Sequence, residues 1–114
     1  GYRHGLISLD VSKMEDLSPV AALITGARHI RSQGCAALSL CHVAEGVLDA
    51  HVDVRGSLRA TDVSAGLFIL KQAGGICRVN GHPWGDFPLR KDTRVSLAAA
   101  SQPALLEEIM SLLK

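Results

Sequence analysis

Apolar and polar positions along this chain switch between a period of two and a period near 3.6. Residues 5–10 hold the apolar run Leu6-Ile7-Ser8-Leu9 and are predicted as a short strand. Ser18 and Pro19 carry a helix-start signature, with Ser18 at the cap and Pro19 at the first position. Val20, Leu23, Ile24 and Ala27 follow at helical spacing, through about residue 29, although Gly26 weakens that helix. Residues 28–32 are predicted as a brief strand. Gly34 opens a helix over Cys35 to Glu45, in which Ala37, Leu40, Cys41 and Ala44 share a face and Gly46 is placed to end it. Residues 49–54 alternate as a half-buried strand, and Arg55-Gly56-Ser57 is predicted as the turn after it.

The most apolar helix begins near Asp62. Val63, Gly66, Leu67 and Leu70 form its stripe, while Phe68 and Ile69 add apolar surface elsewhere, which predicts packing against more than one layer. Gly74-Gly75 stops it. Ile76 to Val79 is predicted as a strand, with Asn80-Gly81 as a turn signal. His82 to Arg94 is the longest polar stretch and is predicted as a surface loop. Val95 to Ala100 is the last strand. Ser101 and Pro103 start a C-terminal helix whose Leu105, Leu106, Ile109, Leu112 and Leu113 face inward. Strands and helices thus alternate almost throughout. That order predicts one α/β domain over residues 1–114, with a mixed, largely parallel sheet and helices on its faces.

Composition narrows the function more than the fold. The 114 residues are 47% hydrophobic but only 4% aromatic, so the core is aliphatic, as in layered α/β packing. A formal net charge of +1 carries no basic excess, and nucleic acid is not an expected partner. No apolar run reaches the length of a membrane span, so no membrane is expected either. Three cysteines do not make a disulfide framework, and a reducing cytoplasmic setting is expected. The chain enters its first strand almost at once from Gly1, as a domain taken from a longer protein would.

The candidate chemistry gathers around residues 34–36 and 53–66. Gly34, Cys35 and Ala36 open a helix with small residues, leaving free N–H groups for an anion or sugar hydroxyl, or room for tight helix packing. Arg55 and Arg59 supply cations that pair with phosphate oxygens or simply face solvent. Asp53 lies at a strand end, where α/β sites collect, and is equally a solvated acid. Asp62 stands in the first turn of a helix, as a dipole-favoured acid or as a metal ligand. Ser64, Ala65 and Gly66 keep that turn bare, so a ligand or another backbone can come close. There is no G-x-S-x-G, P-loop, G-x-G-x-x-G, C-x-x-C or H-x-x-x-H, so most catalytic and zinc templates are absent.

Gly34-Cys35-Ala36-Ala37-Leu38, Val43 to Ala50, Asp62-Val63-Ser64-Ala65-Gly66 and Gln72-Ala73-Gly74-Gly75 follow one another in a recognisable order and spacing. In these blocks the chain resembles the C-terminal half of the inositol monophosphatase family. Arg55, Leu58, Arg59 and Asp62 resemble its archaeal branch, whose members often act on both inositol monophosphate and fructose 1,6-bisphosphate. The resemblance implies the C-terminal half of a layered αβαβα sugar-phosphatase fold. It also implies a magnesium-dependent phosphomonoesterase activity, frequently in a homo-oligomer. Carried over by position, Asp62 is implied as the metal ligand. Gly34, Cys35, Ala36 and Asp53 are implied at the substrate, with Arg55 and Arg59 as the archaeal-type arginines. Thr61 stands where the family usually has Trp, which fits the archaeal branch, and Lys71-Gln72 replace residues that are usually acidic. The family's glutamate and its Asp-Pro-hydrophobic-Asp-Gly-Thr motif, which hold the other metals, do not occur in this sequence. The expected partner is therefore an N-terminal half, and the isolated chain is expected to be inactive. A non-catalytic phosphosugar-binding or interaction module built on the same fold is the alternative.

Overall fold

The computed structural model describes residues 5–27, 29–32, 34–80, 82–83 and 93–113. Its strands are β1 (Leu6–Leu9), β2 (His29–Arg31), β3 (Ala50–Arg59), β4 (Ile76–Val79), β5 (His82–Pro83) and β6 (Arg94–Ala100). Its helices are α1 (Ala21–Gly26), preceded by a 3-10 turn at Ser18–Val20, α2 (Ala36–Glu45), α3 (Ala60–Gln72) and α4 (Pro103–Leu112). Among the described residues the strands form one sheet in the order β2-β1-β3-β6-β4-β5.

The α/β architecture and the mixed sheet are as the alternation predicts. The parallel share is confined to β2-β1-β3. β6 pairs antiparallel with both β3 and β4, and β4 pairs antiparallel with β5. The cause is an insertion. The β3–α3–β4 unit is a crossover between strands of one direction, and β6, arriving last, fills the gap between them in the opposite direction. Chain order alone does not reveal that late arrival.

Alternate residues of each strand face one of two aliphatic layers. Ile7, Leu9, Ala50, Val52, Ala98 and Ala100 pack under α1 and α4, against Leu23, Leu106 and Ile109. Val95, Leu97, Ala99, Cys77 and Val79 pack under α2 and α3, against Leu40, Val43, Val63, Leu67 and Leu70. α2 and α3 touch closely. A Cβ on Gly66 would sit 3.1 Å from Leu40 Cβ and 3.4 Å from the Ala37 carbonyl oxygen. The small residues before mid-α3 therefore admit another helix at Gly66, one of the two roles they allow.

Four local expectations change. Ser18 is not the cap: it is the first residue of the 3-10 turn, whose cap is Leu17 with no side-chain cap hydrogen bond, and Asp16 accepts from the Ser18 N–H and hydroxyl, each at 2.9 Å. α1 ends at Gly26, short of residue 29, and Ala27 is already extended. Arg55-Gly56-Ser57 is not a turn that ends the strand. β3 runs on to Arg59 through a wide bulge: it advances five residues from Asp53 to Leu58 while β6 advances two from Leu97 to Val95. Gly56 takes φ +70° inside that bulge, a conformation that favours glycine. The predicted 82–94 loop contributes β5, and Arg94 opens β6; Gly81 and residues 84–92 lie outside the described residues.

Candidate functional site

β1, β2 and β3 are parallel, so their carboxyl ends share one edge of the sheet. β1 stops at Leu9, in register with Val52. The next residues on each strand, Asp10 and Asp53, therefore reach the edge together, and the bulge brings Arg55 back to meet them. Arg55 Nε donates to Asp53 Oδ1 at 2.9 Å and Nη2 donates to Asp53 Oδ2 at 2.6 Å. The Arg55 backbone N–H also donates to Asp53 Oδ1, at 3.1 Å. Arg55 Nη2 lies 3.1 Å from Asp10 Oδ2, and Nη1 donates to the Ser12 carbonyl at 3.3 Å. Asp53 is 0% exposed, so the guanidinium fork and the Arg55 N–H compensate its lost hydration. Hydrogen bonding to Asp53 raises the Arg55 pKa against the cost of burial. Burial pushes the Asp10 carboxyl up, but the Ser12 hydrogen bonds and the Arg55 charge outweigh it, and its pKa lies below the ordinary value.

Behind this trio runs a second polar chain. Ser8 Oγ is 3.0 Å from His51 Nδ1 and 3.2 Å from Ser39 Oγ, which ties β1 to β3 and to α2. All three residues are buried. Burial pushes the His51 pKa down to about 4 despite the attraction of Asp53 and Asp10, so the ring is neutral at pH 7. Its Nε2 has no hydrogen-bond partner among the described residues.

α2 follows β2 and α3 follows β3, so both helices begin on this same edge. The approach of Gly66 to Ala37 and Leu40 seats the first turn of α2 against the middle of α3. Gly34 and Cys35 are exposed at the first, and Ala36 is half-buried. Asp62 is exposed in the first turn of the second, with Arg59, also exposed, at its cap. The residues singled out in the sequence thus fall into a contacting group, Asp53 with Arg55, and a group sharing an edge, Gly34–Ala36, Arg59 and Asp62. An open groove of about 400 Å³ runs past Arg55, and its lining carries Lys13, Glu15 and Asp16 beside Ser12 and Ser57.

Asp10, Ser8, Ser39 and His51 are absent from the sequence-derived site. The signal for three of them was present: Ser8 and Asp10, like His51 and Asp53, alternate with apolar residues at period two and share one strand face. Nothing in the sequence brings Ser39 to that face. Cys77 is buried, and burial pushes its thiol up to about 12, which leaves it inert.

This edge can be compared with known proteins. Residues 7–114 match the model of the inositol monophosphatase family. The chain belongs to the inositol monophosphatase family. The fructose-1,6-bisphosphatase of Pyrococcus furiosus is 34% identical over 92 residues, covering 81% of this chain and 36% of that protein. The fructose-1,6-bisphosphatase/inositol-1-monophosphatase of Methanocaldococcus jannaschii is 32% identical over 108 residues, covering 95% and 42%. A crystal structure of an inositol monophosphatase–fructose 1,6-bisphosphatase superposes with a TM-score of 0.82 at 32% identity, over 99% of this chain and 44% of that one. The chain therefore spans less than half the length of these inositol monophosphatase relatives.

The family makes a metal the obvious question. Among the described residues no three His, Cys, Asp or Glu side chains are grouped to hold one. Magnesium takes one or two carboxylates together with water and phosphate oxygens. Asp62, exposed at a helix start, fits as one such ligand, and the described residues gather no further ligands into a complete site.

Proposed function

We propose that this inositol monophosphatase-family chain is the C-terminal, substrate- and metal-contacting domain of a magnesium-dependent phosphomonoesterase acting on inositol monophosphate, fructose 1,6-bisphosphate or both. The observation that carries the proposal is that two helices start on the strand edge that holds Arg55. Free N–H groups at Gly34–Ala36 and the helix dipole favour a phosphate or a sugar hydroxyl there. Asp62 at the other helix start does not: a carboxylate and a phosphate dianion that share this edge repel each other unless a cation stands between them. That conflict is the physical reason to assign Asp62 to magnesium, which supplies positive charge to the phosphate and acidifies water when bound.

The chain's own residues bind and orient. Gly34, Cys35 and Ala36 receive the ligand at the start of α2. Arg55 presents its guanidinium from the bulge, and Arg59 adds charge at the start of α3. Asp53 takes a different part from the one its position implies. Both of its oxygens accept from Arg55 and it is fully buried, so it fixes the arginine instead of meeting a sugar hydroxyl.

The partner is a polypeptide that carries the remaining acidic ligands, as the length of the relatives supports. Leu38, Phe68 and Ile69 are exposed on α2 and α3, which supports a covering surface there, whether that partner or a second copy of this chain. Three free cysteines fit the cytoplasm, and among the described residues no helix is long and apolar enough to cross a membrane.

The test compares this chain with the complete gene product, each given inositol 1-phosphate or fructose 1,6-bisphosphate and magnesium. Turnover by the complete product alone is expected. Binding of either phosphosugar by the complete product without turnover would favour the non-catalytic module instead.

A further inference from the structure

Arg55 is shared between two carboxylates that are not equivalent. Asp53 is fully buried and takes the guanidinium side-on with both oxygens, at 2.9 and 2.6 Å. Asp10 makes one contact, from its Oδ2 to the same Nη2 at 3.1 Å, and its side chain keeps 10% exposure. Its other oxygen is engaged separately, accepting from the Ser12 N–H at 3.0 Å, and its own N–H donates to the Val52 carbonyl at 3.2 Å. Asp10 Oδ2 can therefore leave Arg55 by a side-chain rotation without moving backbone. Asp53 cannot leave without exposing an unpaired buried charge to the sheet.

The charges add a second asymmetry. One guanidinium and two carboxylates sum to −1, so the trio as it stands repels anions. An anion that engages Arg55 Nη2 from the groove, past Lys13, Glu15 and Asp16, must replace Asp10, the outer and more weakly held partner. We propose that Asp10 is a specificity-determining residue: its carboxylate occupies the outer hydrogen-bonding position of Arg55, and only a ligand with more charge than one carboxylate, a phosphomonoester dianion, displaces it. Monoanions such as phosphodiesters do not. This inference rests on the phosphate-site reading above. The carboxyl of Asp10, held below its ordinary pKa, is ionised at neutral pH, as a competitor for Arg55 has to be.

The experiment titrates the isotope-labelled chain at pH 8 with methyl phosphate, a dianion there, and with dimethyl phosphate, a monoanion. The Arg55 Nε–H resonance and the carboxyl carbons of Asp10 and Asp53 are followed by NMR. Methyl phosphate is expected to shift Arg55 and Asp10 and leave Asp53 in place, while dimethyl phosphate shifts none of them. In Asp10→Asn the loss of one like charge near the ligand is expected to tighten methyl phosphate about tenfold and to admit dimethyl phosphate. Asp10→Glu restores the original behaviour. A residue that only supported the fold would weaken binding when changed, not tighten it. Arg55 responding while Asp10 stays still, or unchanged or weaker binding by a folded Asp10→Asn, overturns the role of Asp10 and leaves the phosphate site standing. No response of Arg55 to methyl phosphate in either protein overturns both. If Asp10→Asn does not fold, the carboxyl shifts of the unsubstituted chain decide alone.

Discussion

Arg55 and His51 are where single side chains can be weighed. Truncating Arg55 to alanine leaves the Asp53 carboxylate buried without a cation, and breaking such a pair costs about 3 kcal/mol. Urea unfolding of Arg55→Ala at pH 7 should show a loss of that size, whereas Arg59→Ala, at an exposed position, should stay within about 0.5 kcal/mol. His51 sets the response to acid. Its folded pKa of about 4 lies below the ordinary 6.5, so between those values the unfolded chain binds more protons than the folded one. Stability is complete above pH 6.5 and declines as pH falls through this window, by about 2 kcal/mol at pH 5. The lowered carboxyl of Asp10 adds its own loss only below its unfolded value of 3.8. Unfolding midpoints at pH 7 and pH 5 check the sign, and His51→Gln should flatten the difference.

At the scale of elements, the bulge in β3 and the contact between α2 and α3 position the site. Gly66 is the contact point, and its replacement by valine puts a branched side chain where Leu40 already stands 3.1 Å from a Cβ. The overpacking should cost about 2 kcal/mol and push the start of α2 away from α3. Calorimetry gives the cost, and amide shifts at Cys35 and Asp62 report the separation. The helices and inner strands were legible because their apolar stripes are long and bounded by glycine. The bulge was not, because Arg55-Gly56-Ser57 carries turn chemistry whether the strand ends there or only bends. Likewise, nothing local marks β6 as the strand that enters between β3 and β4. Within the site, Arg55 and Asp53 were visible as residues, but their mutual fork was not. Pairing depends on how far the bulge folds back, and the sequence has no period that encodes it.

For the whole molecule, the central matter is what this chain supplies and what it lacks. It carries an arginine anchored by two carboxylates, two helix starts on one sheet edge and the exposed Asp62 at one of them. Motif order carries Asp62 into the site, since an acid in the first turn of a helix is otherwise an ordinary feature. The metal role proposed for Asp62 calls for further oxygen ligands, since no metal-holding group of three is formed among the described residues. The most direct measurement is magnesium-dependent phosphate release from inositol 1-phosphate and fructose 1,6-bisphosphate. It is made on this chain, on the complete gene product and on that product with Asp62→Asn. The account predicts no release by the chain, release by the complete product, and a loss of at least about 100-fold in the variant, the scale expected when a metal ligand that serves the chemistry is removed. Release by this chain alone, or an Asp62→Asn product as active as the original, would contradict it.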